Sequence, residues 1–141
     1  MTEVIPFKPE HIFEIENPDD SGGLVQSVEH AVQLGEASGD QAFTVRVHGK
    51  TVLCGGVVHY WAERGEAWAL IDENAKPYFA AIHRAARKFF DECPITRIEA
   101  SIPLNFEAGH RWIYLLGFDF ECNRRCFMPD GSTWSLYARV K

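Results

Sequence analysis

Glu66 precedes the apolar run Ala67-Trp68-Ala69-Leu70-Ile71. A carboxylate at the edge of such a strand can act as a base, directly or through a water, although a glutamate beside a turn is more often plain surface. Tyr114 lies in an amphipathic stretch ending at Leu116-Gly117, and is either a proton donor or a helix residue packing beneath a sheet. Lys76 and Pro77 open a second helical stretch, where the helix dipole and a lysine both favour an anion. Asn105 is a good residue to cap the helix that follows it. His59, His83 and His110 are scattered, and each reads as structural or solvated. Cys54, Cys93, Cys122 and Cys126 form no CxxC pair and have no histidine pair at finger spacing, so buried thiols and no metal are expected. Cys122 and Cys126 are expected on one face of a strand, which leaves a redox pair open.

The chain that must position these groups has 141 residues, the size of one domain spanning 1–141. Residues 1–75 carry 4 basic and 13 acidic side chains, whereas residues 76–125 carry 8 and 6. The second segment is either ordinary wet surface or a cationic rim for a phosphorylated ligand. A net charge of −6 argues against non-specific nucleic-acid binding. Trp61, Trp68, Trp112 and Trp134 read as core or cleft lining rather than as a stacking platform. The apolar runs are too short to span a bilayer, and the N-terminus shows no signal-peptide pattern, so no membrane association and a cytoplasmic location are expected.

The pattern along the chain predicts a strand at Val4–Phe7, a helical turn at His11–Ile15, loop chemistry from Asn17 to Gly23 and a helix over Leu24–Leu34 ended by Gly35 and Ser38-Gly39-Asp40. A hairpin follows, Phe43–Val47 and Val52–Tyr60 around His48-Gly49-Lys50, with Gly55-Gly56 marking a bulge or a close backbone approach. Glu63 to Glu66 reads as a turn and Ala67–Ile71 as a central strand. Ile82, Ala86, Phe89 and Phe90 form a helical stripe closed by Cys93-Pro94. A strand at Ile95–Ile102, a helix to Gly117, and strands at Phe118–Met128 and Ser132–Val140 around Pro129-Asp130-Gly131 complete the order. Ala67–Ile71 and Ile95–Ile102 should pair in parallel across a right-handed crossover. The fold class expected is therefore α/β (α+β), a mixed, mostly antiparallel sheet with a central parallel pair and helices on both faces.

This element order resembles the GNAT (GCN5-related) N-acetyltransferase superfamily over nearly the whole chain, and three segments carry the match: VIPFKPEHIFEI, GKTVLCGGVV and RIEASIPLNFEAGHRWIYLLGF. A looser likeness is to a small family of internal virion and unknown-function proteins from short-tailed bacteriophages. The resemblance implies acetyl-CoA or another acyl-CoA as cofactor, no metal, and transfer to an amine of a small molecule or protein. It places Leu70, Ile71, Asp72, Asn74, Ala75, Lys76 and Asn105 at the cofactor, with pantetheine in the splay between the parallel strands. Tyr114 becomes the acid for the leaving thiolate and Glu66 the base. The alternative is a non-catalytic phage protein with a virion or host partner, in the host cytoplasm or the virion; a homodimer is open in either case. Two departures stand out. The family's Gln/Arg-x-x-Gly-x-Gly/Ala loop is here Asp72 to Tyr78 with no glycine, and the position four before Gly117-Phe118 is Ile113, with Tyr114 next to it.

Overall fold

The computed structural model describes residues Met1–Glu16, Pro18 and Ser27–Lys141. Among them the order is β1 (Thr2–Pro6), a 3₁₀ turn (Pro9–Glu14), α1 (Val28–Ser38), β2 (Ala42–Val47), β3 (Lys50–Trp61), β4 (Arg64–Ile71), a 3₁₀ turn (Lys76–Tyr78), α2 (Phe79–Glu92), β5 (Arg97–Pro103), α3 (Glu107–Leu115), β6 (Asp119–Arg124) and β7 (Trp134–Val140). The strands form one mixed sheet in the order β1-β2-β3-β4-β5-β7-β6, with β4 and β5 parallel. The chain divides into two compact units. The first comprises Met1–His59 and Ala67–Cys93, and the second Tyr60–Glu66 and Pro94–Lys141.

In the first unit β2 pairs antiparallel with β1 and with β3. The β2–β3 turn is built on positive φ at His48 and Gly49, the twist that joins tight hairpins. Successive side chains of β2 point to opposite faces, and both faces carry helices. On one, Ala42, Cys54, Trp68 and Leu70 pack with Ala31 and Leu34 of α1 and with Ile12 and Ile15. On the other, Phe43 stacks on Phe89 of α2 at 4.6 Å, and the predicted stripe buries Ile82, Ala86 and Phe90. The buried Trp68 indole donates to Ser38 Oγ at 2.9 Å, so α1 supplies the polar partner that the core needs. Of the expected stops, Gly35 lies inside this helix, whereas Ser38-Gly39-Asp40 does end it: the chain turns out at Gly39, where φ is +57°. The expected helix start at Leu24 and most of the Asn17–Gly23 loop lie outside the described residues. The glycine pair marks a close approach, not a bulge: a Cβ on Gly56 would sit 2.5 Å from the Gln41 carbonyl, whereas the β2–β3 irregularity is at Val45/Arg46.

In the second unit the parallel pairing joins Arg64, Gly65 and Glu66 to Arg97, Ile98 and Glu99. The expected pairing at Ala67–Ile71 is thus displaced toward the start of β4. The reason is the turn: only Ala62 and Glu63 form it, and Arg64 to Glu66, expected as loop, are strand. β7 pairs antiparallel with β5 and with β6. α3 lies over the face carrying Ala100, Ile102 and Tyr137. A Cβ at Gly109 would stand 2.6 Å from the Phe106 ring and 3.1 Å from Ile102, so only glycine admits that contact. β6 stops at Arg124, before the expected Met128, and Cys126 sits in a turn at φ 51°. Cys122 and Cys126 therefore do not share a strand face, and both are exposed free thiols. No helix among the described residues is long and apolar enough to cross a membrane.

Candidate functional site

The parallel register sets two carboxyl groups side by side in the second unit, Glu66 on β4 and Glu99 on β5. Their surroundings drive them apart. Glu99 is 2% exposed and receives Arg64 Nε at 2.6 Å, Arg64 Nη2 at 3.0 Å and Arg97 Nε at 2.8 Å. The Arg64 hydrogen bonds, joined by those of Arg97, outweigh burial and hold its pKa at about 2. Arg97 continues to Glu121 at 2.9 Å, and Arg124 approaches Glu99 at 3.7 Å. Among the described residues no arginine forms a salt bridge with Glu66. Burial pushes its carboxyl pKa up, the Glu99 charge adds to this, and the Tyr60 hydroxyl, Arg124 and Ser101 oppose it. Ser101 Oγ is buried and makes no hydrogen bond of good geometry. The Arg64 guanidinium also lies 4.7 Å from the Tyr60 ring centroid and 5.0 Å from that of Trp61. One carboxyl is thus held as an anion while burial raises the pKa of its neighbour, the kind of contrast by which paired carboxyls take different roles.

In the first unit, the segment between β4 and α2 is closed on itself. Asp72 is 2% exposed; its carboxylate accepts Glu16 N–H at 2.7 Å and Asn74 N–H at 2.8 Å, with Lys50 Nζ at 3.7 Å. The neighbouring amides are also engaged: Asp72 N–H with Val52 O, Glu73 with Glu16 O, Ala75 with Asp72 O, Tyr78 with Ala75 O, and Phe79 with Lys76 O. Pro77 has no N–H. Over Asp72–Phe79 only the Lys76 amide stands outside these bonds. Leu70 and Ala75 are each 1% exposed, Ile71 is half-buried, and Asn74 and Lys76 are exposed.

The architecture has close counterparts among solved structures. Ard1 from Thermoplasma volcanium matches with TM-score 0.81 at 13% identity, covering 99% of this chain and 97% of that one. The Escherichia coli ribosomal-protein-S18-alanine N-acetyltransferase matches with TM-score 0.73 at 13% identity, covering 99% and 94%. A spermidine N-acetyltransferase variant from Vibrio cholerae matches with TM-score 0.72 at 12% identity, covering 99% and 93%. This is the GNAT fold. No family model and no curated protein matches the sequence itself.

On a GNAT frame the sequence-predicted residues separate into two groups. Asp72, Asn74, Ala75 and Lys76 do fall between β4 and α2, where the GNAT resemblance puts the diphosphate, but the donors that a phosphate needs are spent and a buried carboxylate lies among them. The residues present do not fit that group. Asn105 is exposed and does not cap α3, whose N-cap position is Phe106 with no side-chain hydrogen bond. In α3 Ile113 is 7% exposed and packed inward, while Tyr114 beside it is 67% exposed. The buried tyrosine under α3 is instead Tyr137, whose hydroxyl lies 2.7 Å from His110 Nδ1. Since the Pro103 and Leu104 carbonyls, each 3.0 Å from Nε2, can only accept, Nε2 carries a hydrogen that it donates to them. Tyr60, Ser101, Glu99 and Arg124 were not anticipated. A signal was present in the repeated Arg-x-Glu of Arg64-Gly65-Glu66 and Arg97-Ile98-Glu99, which in two parallel strands brings like to like on one face. Among the described residues no three His, Cys, Asp or Glu side chains converge as a metal-ligand set.

Proposed function

We propose that the chain is a GNAT-type N-acyltransferase acting on an amine of a small molecule or a protein, with Glu66 as general base. The observation that carries this reading is the parallel register that sets Glu66, on β4, beside a Glu99 whose carboxylate is taken up by Arg64 and Arg97. The reaction needs no metal. The amine nitrogen loses a proton to Glu66 and attacks the thioester carbonyl, the C–N bond forms, the C–S bond breaks, and the thiolate takes up a proton. Tyr114 is the side chain proposed to supply that proton, from the exposed side of α3. The neighbours named as alanine and spermidine N-acetyltransferases support an amine acceptor. The test is acyl transfer from a thioester to a panel of polyamines, peptide N-termini and lysine peptides, compared between the native protein and Glu66→Gln. No transfer to any acceptor removes the reading.

A second reading is favoured by the closed Asp72 loop: a non-catalytic GNAT-fold protein, of phage origin, working through a virion or host partner. Absence of turnover together with specific capture of such a partner supports it, and turnover that depends on Glu66 excludes it.

A further inference from the structure

We propose that Asp72 is a built-in anion standing where GNAT proteins receive the cofactor's diphosphate, so that the acyl donor of this chain is a thioester without a nucleotide. The inference rests on the acyltransferase reading for its second half, and on the loop alone for its first.

A diphosphate held at a helix start needs several amide donors free and turned outward, and a local field that is positive. Neither condition is met. From Asp72 to Phe79 six amides donate to acceptors within the protein, Pro77 has none to give, and Lys76 alone remains. The side-chain oxygens of Asp72 take two donors directly, one from the loop at Asn74 and one from Glu16. The carboxylate is inside and not at the rim, since its side chain is fully buried beside Lys50. That lysine is also shared with Glu16 at 4.0 Å, so the nearest cation already faces two carboxylates. A second anion arriving here would have to displace the Asn74 amide from Asp72 and then lie against a buried carboxylate that has lost one of its donors. Lys76 can offset only part of this, being exposed and screened. The loop is therefore a finished structural turn with its anion supplied by the chain itself. A donor used by this protein has to be recognised through its acyl group and thiol arm, as in a pantetheine or other small-thiol thioester.

The experiment is a titration of the full chain, followed by backbone amide NMR and by thermal unfolding, with ADP as the diphosphate probe and with coenzyme A. The amides of Glu73–Phe79 should stay unmoved, and the melting temperature unchanged, to millimolar ligand. Saturable shifts centred on Lys76 and Phe79, with stabilisation, would overturn the proposal. Kinetics then tests the donor: acetyl-pantetheine and acetyl-CoA should give kcat/KM within a few fold of each other, because the nucleotide contributes no binding energy. A preference for acetyl-CoA of about tenfold or more overturns the nucleotide-free donor. Silent amides with no turnover of either thioester uphold the self-filled loop and count against the acyltransferase reading instead.

Discussion

Asp72 accepts the backbone N–H of Glu16 at 2.7 Å, tying the end of β4 to the chain that follows the first 3₁₀ turn. Burial alone would raise the pKa of this carboxyl, but the Glu16 and Asn74 amides and the Lys50 ammonium outweigh it and hold the pKa below the usual aspartate value. Asp72→Asn keeps the shape and turns one acceptor into a donor facing an amide. It should cost about 1–3 kcal/mol at pH 7 by urea denaturation. Because the folded pKa is depressed, the native stabilisation is complete above the unfolded aspartate value of about 3.9 and fades as pH falls through the folded one. The gap between native and variant should narrow in acid; a gap independent of pH would show that charge is not what holds the loop.

The second unit depends in the same way on Glu99. Its carboxylate is the common acceptor for Arg64 and Arg97, and removing its charge leaves two half-buried guanidinium groups short of a partner. Glu99→Gln should destabilise by about 1–3 kcal/mol at pH 7, the range for a lost charge-assisted hydrogen-bond acceptor, because Arg64 and Arg97 are partly solvated and Arg97 keeps Glu121. With a folded pKa of about 2 against an ordinary 4.5, the contribution is present above pH 4.5 and is lost as pH falls toward 2. Calorimetric melting at pH 7 and pH 3 checks both the size and the sign.

How much of this was legible in the residues can be followed strand by strand. Alternation and turn chemistry sufficed for the hairpin around Gly49 and for the stripe on Ile82, Ala86 and Phe90, because each is a local pattern that the core reinforces, while the crossover rule made β4 and β5 parallel but not at the residues expected. The start of β4 was missed because Glu63-Arg64-Gly65-Glu66 has turn composition. What makes Arg64 to Glu66 a strand is the ladder to Arg97–Glu99, a partner 33 residues away in sequence for each of them. The same distance hid the Glu66–Glu99 contrast, for the arginines that ionise Glu99 and spare Glu66 are chosen by register. The Asp72 loop was half legible: the absence of glycine was plain, whereas the donors' satisfaction by Glu16 and Val52 is tertiary.

Ile113 and Tyr114 offer a contrast between packing and chemistry on one turn of α3. Ile113→Ala removes a buried side chain and should cost about 2–5 kcal/mol, with any loss of activity following the loss of folded protein. Tyr114→Phe deletes one exposed hydroxyl and should leave the urea midpoint unchanged. If Tyr114 protonates the leaving thiolate, kcat should fall about 10²-fold. An unchanged kcat would assign that proton to water.

The last prediction concerns Glu66, where stability and activity should move in opposite directions. Its folded pKa is raised, chiefly by burial, so the fold favours the protonated carboxyl. Below pH 4.5 both folded and unfolded chains hold the proton and no energy is at stake. As pH rises through 4.5 the unfolded chain ionises first, which lowers stability until the folded group also ionises at its higher value. A glutamine carries no such penalty. Glu66→Gln should therefore be as stable as the native protein at pH 7, or more stable, as read by thermal unfolding. Acyl transfer should nevertheless fall by about 10²–10⁴-fold, the usual contribution of a positioned general base. The native kcat/KM should drop on the acid side of a pKa above 4.5, and that limb should be missing from whatever activity the glutamine variant keeps. A more stable variant with undiminished turnover would leave Glu66 a buried structural acid and place the base elsewhere.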